Sequence, residues 1–365
     1  MHKPLYIIAA CCTISFTSLA QSQGNEVFIQ QLDGSNQASV EQGAGPGQVI
    51  NSLADIYQKG NSNEVAIFQG RNSLGSQGEG TVEDNTASVR QIGADNSFKI
   101  EQVSQGGLLQ NNVAEVLQRG NGNQGYITQE VYYQDVSRNN TARLTQEGDD
   151  NEASISQGDN GVLGSTATLI QKGNSNDGQI DQGSAGSSDN TTATLVQQGD
   201  NNRANILHGG YASDGTNSTG TITQQGDGND AEIRQGVFGY AESSTGTITQ
   251  RGDGHKARVS QGESSLAGGT YAENAIGTIA QQGESNEAAI FQGTDFVFVQ
   301  NADGTSTDVY FDGAEAAIGS EAAIDQRGDN HYAVTLQAGT GDMIDVQQRG
   351  SSSYAIVGQG IAIPR

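Results

Sequence analysis

Histidines are the residues of this chain best suited to chemistry, because imidazole titrates near neutral pH and often binds metals. Three of the four histidines lie beyond the first residues, at His208, His255 and His331. His255 and His331 lie in similar segments that we place three repeat units apart, about 14 Å at the spacing of stacked strands, which is too far for one metal ion. The serines have no histidine partner and the carboxylates are dispersed along the chain. We therefore predict no catalysis, no metal and no cofactor.

The charge of the chain argues against nucleic acid and anionic lipid as partners. Among its 365 residues, 42 are acidic and 17 are Lys or Arg, giving a net charge of −25, whereas those partners bind basic surfaces. With 51 glycines, no tryptophan and 5% aromatic residues, the composition is typical of chains that bury little apolar surface. No later segment is apolar enough to span a bilayer, so we predict no membrane insertion.

The first twenty residues predict an export signal. Lys3 precedes an apolar run that ends in small residues, as in secretory signal peptides. We predict that residues 1–20 are a signal peptide and that residues 21–365 are secreted as a single domain. Lipid attachment at Cys11 is an alternative, since residues 8–11 loosely resemble a lipoprotein cleavage box. Cys11 and Cys12 are the only cysteines, so the mature chain would contain no disulfide.

The remainder of the chain is built from an internal repeat. Each unit is anchored at a glutamine with a branched or aromatic apolar residue two positions before it, usually a glycine two positions after it and usually an asparagine five positions after it. A small residue, a β-branched residue and a closing glutamine follow seven, nine and eleven positions after the anchor. We count thirteen units, with anchors at Gln31, Gln58, Gln91, Gln118, Gln146, Gln171, Gln197, Gln224, Gln250, Gln281, Gln300, Gln326 and Gln348.

Each unit reads as two short strands joined by a corner of the form Gln-x-Gly-x-x-Asn, because alternation with a period of two indicates a strand with one buried face. No Asp, Glu, Lys or Arg occupies the inward positions of any unit. A single unit offers too little apolar surface to fold alone, so units must stack. We predict an all-β fold, a β-solenoid of about 13 stacked strand-arc-strand repeats with two parallel in-register sheets and a narrow core.

Glutamine and asparagine on the inward face would form ladders in such a stack. Each buried amide can donate to its copy on one side and accept from its copy on the other. An unpaired buried amide costs about 1–3 kcal/mol, so the ladders penalise any slip in register. The predicted stacking ladder comprises Gln58, Gly60, Asn63, Gln69, Gln146, Gly148, Asn151, Gln157, Gln197, Gly199, Asn202, Gln224, Gly226, Asn229, Gln235, Gln281, Gly283, Asn286 and Gln292. In the same frame, His208 takes a closing glutamine position, and His255 and His331 take asparagine positions.

Acidic residues recur three positions after the anchor. This acidic row comprises Asp149, Asp200, Asp227, Asp253, Glu284, Asp303 and Asp329. Like charges on stacked strands repel by about 1 kcal/mol per pair in water. One hypothesis is that assembly is faster at mildly acidic pH or with divalent cations, and the other is that the row only keeps the assembly soluble.

The segments between units vary in length and the units vary in quality. The gaps range from the two residues 294–295 to the sixteen residues 71–86, which favours surface loops. The unit at Gln300 departs most from the frame, because Ala302 and Thr305 take its glycine and asparagine positions. We expect this unit to be a weak point or a kink.

The repeat resembles the curlin repeat of bacterial curli fibre subunits. Its pattern, Gln-x-Gly-x-x-Asn-x-Ala with a closing glutamine, is met closely by residues 58–69, 146–157, 224–235 and 281–292. The resemblance implies a secreted functional amyloid that polymerises with itself into extracellular fibres of a biofilm matrix. It also implies two partners, a nucleator subunit and a curli-type outer-membrane secretion pore.

Two other functions remain open. The chain could be the minor nucleator of the same fibre. The sequence does not distinguish a nucleator from a main subunit. A monomeric β-solenoid, either a surface adhesin or an ice-binding protein, would need a flat outward array of threonines and a terminal cap. Open solenoid ends expose unpaired backbone groups, which favours polymerisation.

Overall fold

The alternating segments of the sequence form β-strands that stack in parallel. The computed structural model describes residues 6–9, 13–18, 22–43, 48–70, 80–132, 135–158, 161–184, 188–210, 215–264, 270–294, 296–300, 306–310 and 316–359. Within these residues there is no helix with the length and apolar character that crossing a bilayer requires. The chain divides into two units, Met1–Ser184 and Ala185–Arg365, which we call unit 1 and unit 2. That residues 21–365 form a single domain stays a prediction.

The described residues of unit 1 form nineteen strands. In chain order they are β1 (Tyr6–Ala9), β2 (Thr13–Ser18), β3 (Ser22–Gln23), β4 (Glu26–Leu32), β5 (Gln37–Gln42), β6 (Gln48–Ile50), β7 (Leu53–Asn61), β8 (Glu64–Gln69), β9 (Thr81–Glu83), β10 (Thr86–Ala94), β11 (Ser97–Gln105), β12 (Leu108–Gln110), β13 (Val113–Asn121), β14 (Gln124–Tyr132), β15 (Val136–Arg138), β16 (Thr141–Glu147), β17 (Glu152–Gln157), β18 (Thr166–Lys172) and β19 (Asp177–Ser184).

These strands form three parallel sheets in unit 1. The first has the order β1-β4-β7-β10-β13-β16-β18, and the second has the order β2-β5-β8-β11-β14-β17-β19. A short third sheet has the order β15-β12-β9-β6-β3. Each repeat therefore contributes one strand to the first sheet and the next strand to the second, and we call such a pair of strands a tier.

The register places equivalent residues of successive tiers opposite each other. Val116 pairs with Val89 on one side and with Leu144 on the other, and Gln118 pairs in the same way with Gln91 and Gln146. Because side chains alternate between faces, a slip of one residue would turn every buried side chain outward. The predicted β-solenoid with parallel in-register sheets is confirmed.

The core lies between the first two sheets and is narrow. Ile56 and Ile67, which come from the two strands of one tier, are both fully buried, and so is the small residue Ala54. The neighbouring positions along each strand are partly or fully exposed, as the burial pattern of Glu64–Gln69 shows. Apolar burial per tier is small, so the polar positions of the same face take a large part of the interior.

The third sheet corrects the expectation that the segments between units are only surface loops. Strands β6, β9 and β12 belong to these segments, and their Val49, Val82 and Leu109 form a fully buried cluster with Val131. These strands contain three residues each, which is too short for a period of two to be recognised in the sequence. The solenoid therefore has a third wall on the side that tolerates insertions.

In unit 2 the part of the chain that the structure describes also forms nineteen strands. They are β20 (Thr192–Gln198), β21 (Arg203–Gly210), β22 (Gly215–Thr216), β23 (Thr219–Gln225), β24 (Asp230–Val237), β25 (Tyr240–Glu242), β26 (Thr245–Asp253), β27 (Lys256–Gln261), β28 (Tyr271–Glu273), β29 (Ile276–Glu284), β30 (Glu287–Gln292), β31 (Phe296–Gln300), β32 (Ser306–Tyr310), β33 (Ala317–Ile318), β34 (Glu321–Asp329), β35 (Tyr332–Gln337), β36 (Gly339–Thr340), β37 (Met343–Ser351) and β38 (Tyr354–Gln359).

The sheets of unit 2 follow the same plan. The first sheet runs β20-β23-β26-β29-β34-β37, the second β21-β24-β27-β30-β35-β38, and the short third sheet β22-β25-β28-β33-β36. Strands β31 and β32 form a separate two-stranded antiparallel sheet.

The predicted tier at Gln300 is wrong. Strand β29 pairs directly with β34, and β30 pairs directly with β35, so the tiers anchored at Gln281 and Gln326 are neighbours. Strands β31 and β32, which lie between them in the sequence, pair with each other in an antiparallel sheet. Its sequence lacks the corner glycine and the asparagine, and a segment that cannot complete the ladders is left outside the stack.

The segment predicted as a signal peptide contains strands β1 and β2. Strand β1 pairs in parallel with β4, and β2 pairs in parallel with β5. Its cleavage after residue 20 stays a prediction.

The corner glycines are required by the neighbouring tier. Gly226 has a φ of +117°, and a Cβ atom placed on it would lie 2.3 Å from the carbonyl oxygen of Gly252 in the next tier. Gly228, in the same corner, has a φ of +64° and would place its Cβ in open space. In the tier anchored at Gln197 the equivalent position is Asn201, which has a φ of +57°. A side chain is therefore tolerated at this position.

We predict that Gly226→Ala lowers the free energy of unfolding by about 3 kcal/mol, because the new methyl group forces the two tiers apart. Gly228→Ala is the matched control and costs only about 1–2 kcal/mol for a left-handed residue with a Cβ atom. Urea unfolding followed by circular dichroism measures both. Equal losses for the two variants would contradict the requirement for close approach between tiers.

Candidate functional site: the stacking ladders

The anchor glutamines form one buried column of hydrogen bonds in each unit, which we call the anchor column. In every pair the Nε2 of the earlier glutamine donates to the Oε1 of the next. In unit 1 the distances are 2.6 Å for Gln31–Gln58, 2.9 Å for Gln58–Gln91, 2.8 Å for Gln91–Gln118, 2.8 Å for Gln118–Gln146 and 3.0 Å for Gln146–Gln171. In unit 2 they are 3.0 Å for Gln197–Gln224, 2.9 Å for Gln224–Gln250, Gln250–Gln281 and Gln281–Gln326, and 2.8 Å for Gln326–Gln348.

The second N–H of most anchor amides is also used. Gln224 donates it to the backbone oxygen of Arg203 at 2.9 Å, and Gln281 donates it to that of Lys256 at 2.9 Å. Each amide therefore ties its own tier to the following tier through one bond and to the preceding tier through another. When both donors and the acceptor of a buried amide are hydrogen-bonded, burial leaves no polar atom without a partner. Any shift of the amide would break at least one of these bonds.

The closing glutamines form a second column, the closing column, in the other sheet. Its bonds run at 2.7 Å for Gln42–Gln69, 2.8 Å for Gln69–Gln102 and Gln102–Gln129, 2.9 Å for Gln129–Gln157 and 2.8 Å for Gln157–Gln182 in unit 1. In unit 2 they run at 2.7 Å for Gln235–Gln261, 2.9 Å for Gln261–Gln292 and 2.8 Å for Gln292–Gln337. Beyond Gln337 the column does not continue, since Oε1 of Gln359 has no hydrogen-bond partner.

The asparagines form a third column that links the amide ladders to the corner glycines. Oδ1 of Asn63 accepts the backbone N–H of Asn96 at 3.2 Å and its Nδ2 at 2.9 Å. Nδ2 of Asn63 donates at 2.9 Å to the carbonyl oxygen of Gly93. A Cβ atom placed on Gly60 would lie only 1.9 Å from this carbonyl oxygen. The asparagine bond and the absence of a side chain on the glycine therefore depend on each other.

The predicted ladder residues occupy these columns as follows. Asn151, Asn202, Asn229 and Asn286 each donate to the corner glycine carbonyl of the next tier, at 2.8, 2.8, 2.8 and 2.6 Å. Gly148, Gly199, Gly226 and Gly283 share with Gly60 a φ of +114° to +120°. The contribution of these residues to assembly is a proposal that we develop below.

A further polar column lies six residues before most anchors and was not predicted from the sequence; Ala275 interrupts it before Gln281. Oδ1 of Asn85 accepts the backbone N–H of Asn112 at 2.7 Å, and Oδ1 of Asn112 accepts that of Asn140 at 2.9 Å. In three tiers of unit 2 a serine stands at this position, and Oγ of Ser218 accepts the N–H of Ser244 at 3.4 Å. The signal was present in the sequence, because this position holds Asn25, Ser52, Asn85, Asn112, Asn140, Ser165, Thr191, Ser218, Ser244 and Ser320.

Two histidines replace asparagine in the asparagine column. Nδ1 of His255 accepts the backbone N–H of Asn286 at 3.2 Å, and Nδ1 of His331 accepts that of Ser353 at 3.2 Å. Nε2 of His255 lies 3.1 Å from the backbone oxygen of Arg251, so it carries the proton of the neutral ring. The two histidines lie two tiers apart, not three, because the Gln300 segment is not a tier. Burial lowers the pKa of His255, which favours this neutral form.

His208 does not replace glutamine in the closing column as expected. It lies opposite Gln235 and is fully buried. Neither nitrogen of its ring has a hydrogen-bond partner, and Oε1 of Gln235 has none either. The ring fits because Gly220 has no side chain, and a Cβ atom there would lie 2.7 Å from Nε2 of His208. Burial lowers the pKa of His208 to about 3.

Carboxylates of the acidic row accept hydrogen bonds from the backbone of neighbouring tiers, which the sequence did not predict. Oδ1 of Asp227 accepts the backbone N–H of Asp200 at 2.8 Å, and Oδ1 of Asp253 accepts that of Asp227 at 2.8 Å. Asp149 accepts in the same way from Asn121 at 2.8 Å. Glu284 belongs to the same row and donates its N–H to Asp329 at 3.0 Å, while Asp303 lies outside the described residues. Charge-assisted bonds of this kind oppose the repulsion between tiers.

The chemistry of these columns is hydrogen bonding between equivalent side chains of successive tiers. Within the part of the chain that the structure describes, no three His, Cys, Asp or Glu side chains converge in a way that could hold a metal ion. Fold and ladders together define a parallel β-solenoid held in register by buried amides.

A comparison with known protein families finds a match to one family of repeats. The family model of the curlin associated repeat matches residues 138–161 and 319–350. The first match spans the tier of Gln146, and the second spans the tier of Gln326 and the first strand of the Gln348 tier up to residue 350. These two regions of the chain are therefore similar to the curlin associated repeat. No curated protein matches the chain.

We predict that acid destabilises the solenoid through His208. Its pKa is about 3 in the folded protein and about 6.5 when unfolded, so the unfolded chain binds the proton more tightly. Stability from this group is complete above pH 6.5 and falls as the pH drops toward 3, with a loss of about 2 kcal/mol at pH 5.

His208→Gln should remove this loss and give Oε1 of Gln235 a donor. The measurement is the urea midpoint of both proteins between pH 4 and 8, where all other titrating groups are common to the pair. The difference between variant and parent should widen as the pH falls. A constant difference over this range would contradict the prediction.

Proposed function

We propose that the protein is a secreted structural subunit that assembles head-to-tail into extracellular amyloid fibres of the curli type. Such fibres would belong to a biofilm matrix and support adhesion and aggregation of cells. The observation that supports this proposal most strongly is the uniform polarity of the anchor column. Every Nε2 donates toward the following tier, so a stack presents acceptors at its first tier and donors at its last.

The last tier is suited to receive another tier. Gln348 is the last glutamine of the anchor column, and its amide donates to the backbone oxygen of Tyr332 at 2.9 Å. No later tier of the described chain accepts its second N–H. The side chains of this tier are also more exposed than those of the inner tiers, with Tyr354 at 45% and Met343 at 69%. An open strand edge with apolar residues is a template for pairing with a further strand.

The family supports a structural rather than an enzymatic role, since curlin-repeat proteins are structural. We extend this to the chain and propose no catalytic activity and no cofactor. A nucleator subunit, an outer-membrane secretion pore and the extracellular location are parts of the same proposal. They rest on the similarity to the curlin associated repeat and on the export signal predicted for residues 1–20.

The proposal predicts that residues 21–365, diluted from denaturant, form fibres that elongate from their ends. Preformed fibres should abolish the lag phase, and oriented fibres should diffract at about 4.8 Å along the fibre axis, the spacing of stacked strands. Thioflavin fluorescence and fibre diffraction provide the two measurements. A chain that stays monomeric under these conditions would contradict the proposal and favour the monomeric adhesin.

A further inference from the structure

The outer face of the first sheet in unit 2 contains a regular array of threonines. Strands β23 and β26 each contribute three outward side chains, and the register sets each one opposite its equivalent in the other strand. We call these six residues the threonine face: Thr219, Thr221, Thr223, Thr245, Thr247 and Thr249. Facing threonines are about 4.8 Å apart, and successive threonines of one strand are about 6.8 Å apart. The face is therefore a two-dimensional lattice with fixed spacings.

The neighbouring strands extend this lattice. In the same register β20 adds two threonines and β29 adds one, and the other outward side chains of these two strands are Val196, Ile276 and Ala280. The three outward positions before the anchor therefore hold no charged residue in any of the four strands. Arg251 lies one position past its anchor, where the corner begins. The amide column beneath the face favours a flat sheet, since side-chain ladders stabilise sheets with little twist.

The outer face of the second sheet is different in the same tiers. Its outward positions include Glu232, Arg234 and Arg258, which form ion pairs across the strands. In a chain with a net charge of −25, a wall without charge on one side only is a specific feature of this region. It points to a ligand that is itself uncharged.

The hydroxyls of the threonine face are available to such a ligand. The six side chains are partly exposed, and among the described residues none of their hydroxyls takes part in a hydrogen bond. Threonine is stiff at χ1, so equivalent side chains in one lattice favour the same rotamer. Hydroxyl oxygens about 4.8 Å apart are too distant to bond directly, but one water can bridge them through two bonds of about 2.8 Å at an angle of about 120°.

We propose that the threonine face is a binding site for ice, in which water molecules have a nearly tetrahedral arrangement of this kind. The hydroxyls hold bridging waters at the spacing of the strands, and the methyl groups occupy the space between them without competing for hydrogen bonds. Because the side chains are already ordered by the sheet, binding costs little conformational entropy. This site is independent of the fibre proposed above and does not require it.

The composition of the face favours ice over other ligands. A polysaccharide or a small apolar molecule is usually held by aromatic side chains, and the outward positions of these four strands contain none. Another protein would cover the hydroxyls and leave buried polar groups to satisfy. Ice offers a donor and an acceptor to every hydroxyl.

Slow growth of ice in a dilute solution of the full chain measures binding directly, because ice rejects solutes that do not bind to its surface. We expect the chain to be enriched in the ice, while a dissolved protein without affinity for ice stays in the liquid. Exclusion of the chain from the ice would overturn the inference. Exclusion combined with retention on an insoluble neutral glucan would assign the face to a polysaccharide instead.

A matched pair of variants locates the site. Thr221→Lys puts a long hydrated side chain in the middle of the lattice and keeps the ice surface away from its neighbours. Thr145→Lys is the control, since Thr145 also points outward from the first sheet but lies opposite Leu117 and Ile170. Thr221→Lys should raise the concentration for half-maximal incorporation into ice about tenfold, the factor for the loss of one hydrogen bond. Thr145→Lys should leave it unchanged.

Two further measurements keep this comparison decisive. Urea midpoints close to that of the parent show that both variants fold, and Thr247→Lys, in the next strand, is an independent second variant with the same expected loss. Equal incorporation of the Thr145→Lys protein and of both variants within the face would overturn the assignment of ice binding to the threonine face.

Discussion

The structure depends on one constraint, namely that an amide buried in the narrow core must find its hydrogen bonds in its own copies. Each tier buries few apolar atoms, and its remaining inward positions hold glutamine and asparagine. These amides are satisfied only when the neighbouring tier is parallel and in register, as in the bond of 2.9 Å between Gln224 and Gln250. Apolar burial favours stacking of any kind, whereas the amides select a single alignment.

Several other features follow from this alignment. The corner glycine must lack a side chain because the asparagine bond brings the next carbonyl to within 1.9 Å of where a Cβ atom on Gly60 would lie. The segment after Gln292 leaves the stack because it cannot complete the columns, and Gln281 then bonds directly to Gln326 at 2.9 Å.

The sequence predicted the tiers well because period and spacing recur many times, so that a frame such as that around Gln146 needs no further information. It did not predict the third sheet, since strands of three residues such as the one containing Val82 show no period. The tier at Gln300 was predicted from spacing although its corner residues did not fit. The lost bonds of His208 could not be predicted either, because they depend on whether an imidazole can reach the amide of Gln235.

The most direct test of this account replaces a ladder amide by an apolar side chain of similar size. Gln224→Leu adds apolar surface to the core but leaves Nε2 of Gln197 and Oε1 of Gln250 without their partner. We predict a loss of about 2–5 kcal/mol in the free energy of unfolding. Gln225→Leu, on the exposed face next to it, should change it by about 0.5 kcal/mol or less. A Gln224→Leu protein as stable as the parent would show that burial, and not the amide ladder, holds the tiers in place.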